Sequence, residues 1–423
     1  MNEYDSEIAK AVLEKEGYRL SESPDDADIV LLNTCSVRDN ANRKIYGRVH
    51  ALRHQKSDLQ IGILGCMATD KKEKLLIEQN LGVDFIVGPD SYRRLGQILA
   101  GSGDGQEPGF DVKLSKTETY EDIHPIRNSG VNAWIAVMRG CNNFCSFCVV
   151  PYTRGRERSR SPESVVQEAG QLVNDGFHQV TLLGQNVNSY RSGEHDFTSL
   201  LRRVSEIEGL ERVRFTSPHP KDFPANLIRE VAENPYICKH IHLPLQAGNT
   251  RVLDMMRRTY TKEEYLALVE QIRSAIPEVV LTTDIIVGFP TETDAEFQDT
   301  VDVLDKVRFD SAFIFKYSER DNTLAAKKYP DDVPEEAKTE RIVQLNAMQK
   351  EHSLQRNRAH IGQVHRVLIE SLATKKSEHE VQGRNDGNKL VILQGDDYQL
   401  GQFLDVEITD ATSHVLKGHA IHC

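Results

Sequence analysis

The 423-residue chain is 39% hydrophobic and 27% charged, with a formal net charge of −12. That length exceeds one ordinary core, so two or three domains are expected. No run of about 18 apolar residues occurs, so neither a membrane-spanning helix nor a membrane partner is expected. The start, Met1-Asn2-Glu3-Tyr4-Asp5-Ser6, is polar and acidic rather than leader-like, and a cytoplasmic protein is expected. The acidic balance weighs weakly against a nucleic acid partner, because binding follows the local field. Seven cysteines, an odd number, favour metal or catalytic use over a disulfide framework.

The first hundred residues alternate between helix and strand patterns. Asp5–Glu16 reads as a helix, with Ile8, Ala11, Val12 and Lys15 at helical spacing. Asn40–His54, Lys71–Gln79 and Tyr92–Leu99 read as further helices, and Ile29–Leu32, Ile61–Leu64 and Phe85–Val87 as short strands. This predicts a parallel α/β domain over residues 1–103. The glycine-rich stretch Gly101–Gly109 reads as a linker. Six candidate strands follow: Trp134–Met138, Gln179–Leu183, Val213–Thr216, His240–Pro244, Leu281–Val287 and Ala312–Phe315. Helical stretches such as Pro162–Asp175 and Lys262–Ala275 separate them, and the long polar helix Glu335–Arg358 closes the region. With no antiparallel punctuation, a partial (β/α)6 barrel over residues 127–357 is expected, so the fold class is α/β. Residues 360–423 lose helical periodicity; Val364–Ile369, Val391–Leu393 and Phe403–Ile408 read as strands, with turns at Gly383, Asp386-Gly387 and Gly395. A small β-barrel is expected there.

Directly after the first barrel strand, Gly140-Cys141-Asn142-Asn143-Phe144-Cys145-Ser146-Phe147-Cys148 spaces its cysteines C-x3-C-x2-C. Thiolates in one short loop converge on a metal at little chain-closure cost. Three ligands on a 4Fe–4S cluster leave one iron open for a substrate. A structural zinc site competes, but zinc wants four ligands and the loop supplies three.

This spacing, with Phe147 before the last cysteine, resembles the radical S-adenosylmethionine (SAM) superfamily. The resemblance implies a 4Fe–4S cluster on Cys141, Cys145 and Cys148, whose open iron chelates SAM for cleavage to a 5′-deoxyadenosyl radical. It extends to other strand ends. Leu182–Asn186 looks like the family's segment at the SAM amino end, and Asp284–Glu292 like its adenine-side segment; His242–Gln246 ends the fourth strand. Gly184, Gln185, Asn186, His242, Gln246, Asp284 and Gly288 are the SAM candidates this implies.

Cys35 and Cys66 each follow a first-domain strand, at the sheet edge where α/β domains bind ligands. Asn33–Ala41 and Leu64–Ala68 resemble the N-terminal domain of radical SAM methylthiotransferases, in which three cysteines hold a second 4Fe–4S cluster. Cys35 and Cys66 match two of them. In the family the third lies just before a Met-Asn-x-x-Asp-Ser segment, which here begins at Met1, so the auxiliary cluster's third ligand is absent from this chain. A parallel α/β domain also normally begins with a strand, so an upstream strand carrying one cysteine is expected. Cys238 and Cys423 are the alternatives; Cys238 precedes a barrel strand, the wrong end for the site.

Pro151–Arg160 carries Arg154, Arg156, Arg158 and Arg160 beside the cluster loop, and guanidinium groups there suit RNA phosphates. A solvated loop with ion pairs is the competing reading. Arg257 and Arg258 extend the patch in the RNA-binding reading. The C-terminal β-region resembles the TRAM domain, a small barrel linked to RNA binding, although its own basic signal, Lys375-Lys376, is modest. Asn33–Ala41, Val149–Arg160 and Leu243–Thr261 resemble the MiaB type of methylthiotransferase. That resemblance implies a tRNA partner, a low-potential electron donor such as flavodoxin or ferredoxin, and a monomer. It implies that one SAM gives a methyl group to a sulfide at the auxiliary cluster. Cleavage of a second SAM activates C2 of N6-(dimethylallyl)adenosine next to the anticodon, where methylthio is transferred. A methylthiotransferase acting on a ribosomal protein aspartate, a single-cluster radical SAM enzyme and a non-enzymatic iron–sulfur RNA-binding protein compete.

Overall fold

The computed structural model describes residues 1–35, 39–70, 82–101, 109–127, 130–374, 377, 379–395 and 397–421, residues 39–43 by backbone alone. The chain divides into two compact units. The first comprises residues 1–128, 138–144 and 148–164, and the second residues 129–137, 145–147 and 165–423.

The first unit is built on a parallel sheet in the order β1 (Ile29–Thr34), β2 (Gln60–Gly65), β3 (Phe85–Val87), β4 (Gly109–Asp111). Helix Asn2–Lys15 precedes β1, burying Tyr4, Ile8 and Val12, one turn apart along a single stripe. Its first turn carries Glu3 and Asp5, the sign that the helix dipole favours there. Helix Asp39–Gln55 connects β1 to β2. Two features differ from the sequence expectation. Gly109, counted in a linker, opens β4, and Met138–Arg139 pairs antiparallel with Arg158–Ser159. The expected helix Lys71–Gln79 lies outside the described residues, as do residues 102–108 of the expected linker.

The second unit holds the six expected parallel strands. β5 (Asn132–Ala136), β6 (Gln179–Leu183) and β7 (Arg212–Phe215) form one sheet. β8 (His240–His242), β9 (Val280–Val287) and β10 (Ser311–Lys316) form the other. A parallel bridge, Val213 to Ile237, joins them, with Val213 N–H donating to Tyr236 O (2.8 Å) and Cys238 N–H to Val213 O (3.0 Å). The six strands therefore run in chain order as a partial barrel. Two crossover helices begin with capping boxes, Thr261 with Glu264 and Thr293 with Glu296, which satisfy otherwise orphaned N–H groups. Besides the Met138–Arg139 pairing, the antiparallel hairpin of Arg191–Ser192 and His195–Asp196 interrupts the pattern.

The C-terminal strands β11 (Val364–Ser371), β12 (Glu380–Arg384), β13 (Leu390–Gln394), β14 (Phe403–Ala411) and β15 (Leu416–Ala420) close a barrel in the order β11-β12-β13-β15-β14. Its core includes Val367, Val381, Val391, Leu393, Val406 and Leu416. Gly383, read as a turn from the sequence, lies within β12. A Cβ there would meet Leu368 O at 2.3 Å, so close strand packing, not a turn, requires the glycine.

This small barrel caps the amino-terminal ends of the large one. Arg214 donates to Asp386 O and Asn385 O (both 2.7 Å), and Arg212 to Arg384 O (2.8 Å). Lys239 N–H donates to Asp386 Oδ2 (2.8 Å), and Lys389 pairs with buried Asp310 (2.7 Å). The carboxyl ends of β5–β10, where such barrels place chemistry, lie at the opposite end.

Candidate functional site

Strand register determines which side chains share the barrel's inner face. Parallel pairing sets His242 beside Thr282, Asp284 beside Phe313 and Ile286 beside Phe315. Alternation sends Leu281, Thr283, Ile285 and Val287 to the opposite face, where all four are fully buried. His242 and Asp284, both expected from the sequence, meet here: His242 Nε2 lies 3.2 Å from Asp284 Oδ2, and its Nδ1 2.9 Å from Thr282 Oγ1. Phe313 packs edge-on against His242, yet remains 51% exposed, and Phe315 36%.

Gln246 adds to the end of β9 by exchanging backbone bonds, its N–H to Asp284 O and its O from Ile286 N–H (both 2.8 Å). It does so in a left-handed conformation, φ 71°. Gly288 also has positive φ, 70°, and its N–H donates to buried Glu292, which Arg341 pairs at 2.7 Å. At the end of β6, Gly184 and Asn186 are buried and Gln185 half-buried. Asn186 Nδ2 donates to Asp222 (2.8 Å). Gln185 Oε1, Asn186 Oδ1 and His219 Nε2 are buried without a hydrogen-bond partner. Such groups cost free energy unless something polar meets them, so two amide oxygens that accept, beside a ring nitrogen, fit a polar ligand such as the SAM amino-acid portion. Burial, with Arg258 adding, pushes His219 down to about 2, so the ring is neutral.

Cys141 N–H donates to Gly155 O (3.1 Å). Gly140, φ 79°, has no room for a side chain, since a Cβ would lie 2.1 Å from Arg156 O. Within the second unit, Ser146 N–H donates to Met256 O (3.0 Å) and its hydroxyl to Met255 O (2.8 Å). Arg258 Nη1 reaches Cys145 Sγ at 3.4 Å. Cys141 is buried and Cys145 and Cys148 are half-buried. Among the described residues, no three His, Cys, Asp or Glu side chains are gathered closely enough to hold a metal ion. In a 4Fe–4S cluster each cysteine sulfur takes its own iron, and in the second unit the Cys145 sulfur with the Arg258 guanidinium beside it suits such a ligand.

In the first unit, Thr34 pairs with Gly65, so Cys35 and Cys66 are neighbours at adjacent carboxyl ends. Burial pushes the Cys66 thiol up, Arg154 opposes this, and nearby Cys35 adds to it. Arg154 Nε lies 3.0 Å from Cys66 Sγ, and its Nη2 2.7 Å from Asp5. Arg139 holds the other oxygen of Asp5 at 2.8 Å.

The expectation that four arginines face RNA phosphates is corrected by these contacts. Arg154, Arg158 and Arg160 are buried: Arg154 is spent on Asp5 and Cys66, Arg158 on Asp90 (2.9 and 3.0 Å), and Arg160 on Tyr4 OH (2.9 Å) and Ser164. Only Arg156 is exposed, its guanidinium over the Phe144 ring at 5.2 Å. Arg257 is exposed, whereas Arg258 points inward rather than extending a patch. The inward arginines are the functional feature the sequence reading missed. Asp5 and Asp90, the acids that pair with Arg154 and Arg158, are distant in sequence and gave no local signal. Cys238 is buried before β8, pushed up to about 12 by burial, and behaves as a core thiol. Residues 36–38 of the Asn33–Ala41 segment, Lys375-Lys376 and Cys423 lie outside the described residues.

Residues 1–88 match Uncharacterized protein family UPF0004, residues 135–304 the Radical SAM superfamily and residues 358–421 the TRAM domain. Over 433 residues the chain is 45% identical to a tRNA-2-methylthio-N(6)-dimethylallyladenosine synthase of Porphyromonas gingivalis, covering 100% of this chain and 93% of that protein. Over 427 residues it is 45% identical to the like-named protein of Chloroherpeton thalassium, covering 100% and 94%. Among solved structures, the radical SAM methyltransferase TsrM of Kitasatospora setae, with cobalamin and a [4Fe-4S] cluster bound, superimposes with a TM-score of 0.59 at 16% identity, over 76% of this chain and 74% of that one. The apo cobalamin-dependent SAM radical enzyme OxsB gives 0.52 at 12% identity, over 81% and 53%. These two bear on the fold alone. With three matched regions and near-half identity along its whole length, the chain belongs to the tRNA-2-methylthio-N(6)-dimethylallyladenosine synthase family of radical SAM methylthiotransferases.

Proposed function

We propose that the protein puts a methylthio group on C2 of N6-(dimethylallyl)adenosine next to the anticodon of tRNA, using SAM and two 4Fe–4S clusters. The observation that supports this most directly is the pairing of two cysteine sets with two buried guanidiniums, Arg258 on Cys145 and Arg154 on Cys66. Cys141, Cys145 and Cys148 hold the SAM-cleaving cluster in this reading, and Cys35 and Cys66 supply ligands to the second. The clusters with SAM supply the radical and the methylated sulfur, chemistry that side chains alone do not offer for an aromatic C–H bond.

The chain's own residues bind and orient. Gly184, Gln185, Asn186, His242, Gln246, Asp284 and Gly288 receive SAM at the carboxyl ends of the strands. Asn186 is positioned by Asp222, and Gln246 by β9. Phe313 and Phe315 offer an exposed aromatic wall on the inner face, suited to an adenine ring bearing an apolar five-carbon chain. Arg156 remains for a phosphate, with the TRAM barrel as a second RNA contact.

Anaerobic incubation of the reconstituted chain with SAM and a low-potential reductant tests this reading. The expected result is release of 5′-deoxyadenosine, abolished in Cys145→Ala. Equal release by Cys145→Ala would remove the triad from the chemistry.

A further inference from the structure

Arg258 is a buried cation whose side-chain contacts include a cysteine sulfur. It is 6% exposed, and among the described residues no Asp or Glu pairs with it. Its Nε donates to Tyr260 OH (3.1 Å), its Nη2 to Pro244 O (3.3 Å) and its Nη1 to Cys145 Sγ (3.4 Å). Buried Arg139, Arg158 and Arg341 pair with the carboxylates of Asp5, Asp90 and Glu292, and buried Arg212 and Arg214 donate to backbone carbonyls, whereas Arg258 reaches a cysteine sulfur. Of these three contacts, the Cys145 sulfur is the one that belongs to the cysteine loop.

The backbone is bent to make this contact. Arg257 and Thr259, on either side, are both left-handed, φ 56° and 58°, and both are exposed. Neither is a glycine, so each is strained, and such strain persists only where surrounding bonds impose it. Arg258 N–H donates to Leu253 O (2.9 Å), and Tyr260 OH to Leu245 O (2.8 Å). The same turn grips the cysteine loop, because Met255 O and Met256 O receive the hydroxyl and N–H of Ser146. Met255 to Tyr260 thus ties the end of β8 to Cys145 through backbone and guanidinium together.

We propose that Arg258 is a positioning residue for the cluster on Cys141, Cys145 and Cys148. Its guanidinium fixes the Cys145 sulfur as an iron ligand and, by an N–H to sulfur bond from a buried cation, raises that cluster's reduction potential. This rests on the reading that the triad holds a 4Fe–4S cluster. Hydrogen bonds to ligand sulfur and local charge are the protein's means of setting such potentials.

The test is a redox titration followed by electron paramagnetic resonance, with iron analysis, on the full chain carrying Cys35→Ala and Cys66→Ala so that one cluster assembles. In that background Arg258→Gln is expected to favour the oxidised cluster about tenfold, a midpoint lower by about 59 mV for one electron. Arg258→Lys, which keeps the charge, is expected to shift less. Loss of iron from a folded Arg258→Gln chain, judged by circular dichroism, also supports the placement. If Arg258→Gln does not fold, Arg258→Lys decides: a shifted midpoint or altered spectrum supports the proposal, and an unchanged one overturns it. Wild-type iron content, midpoint and spectrum in both variants overturn it. The underlying reading fails separately, if adding Cys145→Ala leaves iron and signal intact.

Discussion

Arg154 Nε lies 3.0 Å from Cys66 Sγ, while the same guanidinium is 2.7 Å from Asp5. Together with Arg139, it forms a buried arrangement in which two cations flank one carboxylate and one sulfur. Although burial alone pushes Asp5 up, Arg139 and then Arg154 hold it below the usual carboxylate range. A carboxylate depressed by folding contributes stability that is present above its unfolded pKa, about 3.9, and lost as pH falls toward the folded value.

Asp5→Asn leaves Arg139 and Arg154 buried without that charge. The expected cost is about 3–5 kcal/mol, the range for breaking a buried pair from one side. Urea unfolding at pH 7 measures it. The variant is also expected to lose the part of the wild-type acid sensitivity that lies below about pH 4.

His219 titrates with the opposite sense of charge. Its folded value is about 2, through burial first and Arg258 next, so the neutral ring is the folded form. The unfolded ring takes up a proton below about 6.5, so stability falls as pH drops from there toward the folded value. That slope is about 1.4 kcal/mol per pH unit for one group. His219→Gln is expected to flatten the unfolding free energy between pH 6 and pH 4 by about that slope. An unchanged slope would mean the ring is already charged or solvated.

Gly140→Ala places a Cβ 2.1 Å from Arg156 O at φ 79°. Neither backbone can yield without moving Cys141, whose N–H is bound to Gly155 O. Iron bound by the reconstituted variant is expected to drop by about four per chain, one cluster, while far-ultraviolet circular dichroism stays near wild type.

Phe313→Ala removes the most exposed part of the aromatic wall. For tRNA bearing dimethylallyladenosine, KM is expected to rise about tenfold, the scale of a lost apolar contact. The affinity for SAM is expected to hold. A change confined to SAM would assign the wall to the cofactor instead.

Much of this was readable in advance, and the exceptions share a cause. The six barrel strands and the helices Lys262–Ala275 and Glu335–Arg358 follow from apolar runs and helical spacing, which are local properties. The neighbouring placement of Cys35 and Cys66 followed from each standing after a parallel strand. β12 and β15 went unread because Glu380–Arg384 and Leu416–Ala420 are short on apolar residues and contain glycine; barrel closure, not local pattern, makes them strands. Arg154 and Arg158 looked like parts of a surface patch because the acids they pair with are over 60 residues away. Arg258 read as part of the same patch because the sulfur it turns toward, Cys145, is 113 residues away in the chain. Nothing in Arg257-Arg258-Thr259-Tyr260 announces two left-handed residues around an inward guanidinium.

The most direct measurement is nucleoside mass analysis of tRNA bearing dimethylallyladenosine, after anaerobic reaction with the reconstituted protein, SAM and reductant. The account predicts a nucleoside heavier by one methylthio group in place of the C2 hydrogen, formed with 5′-deoxyadenosine and lost in Cys66→Ala. Release of 5′-deoxyadenosine with the tRNA left unmodified would contradict it, leaving a radical SAM protein that cleaves its cofactor but transfers no sulfur.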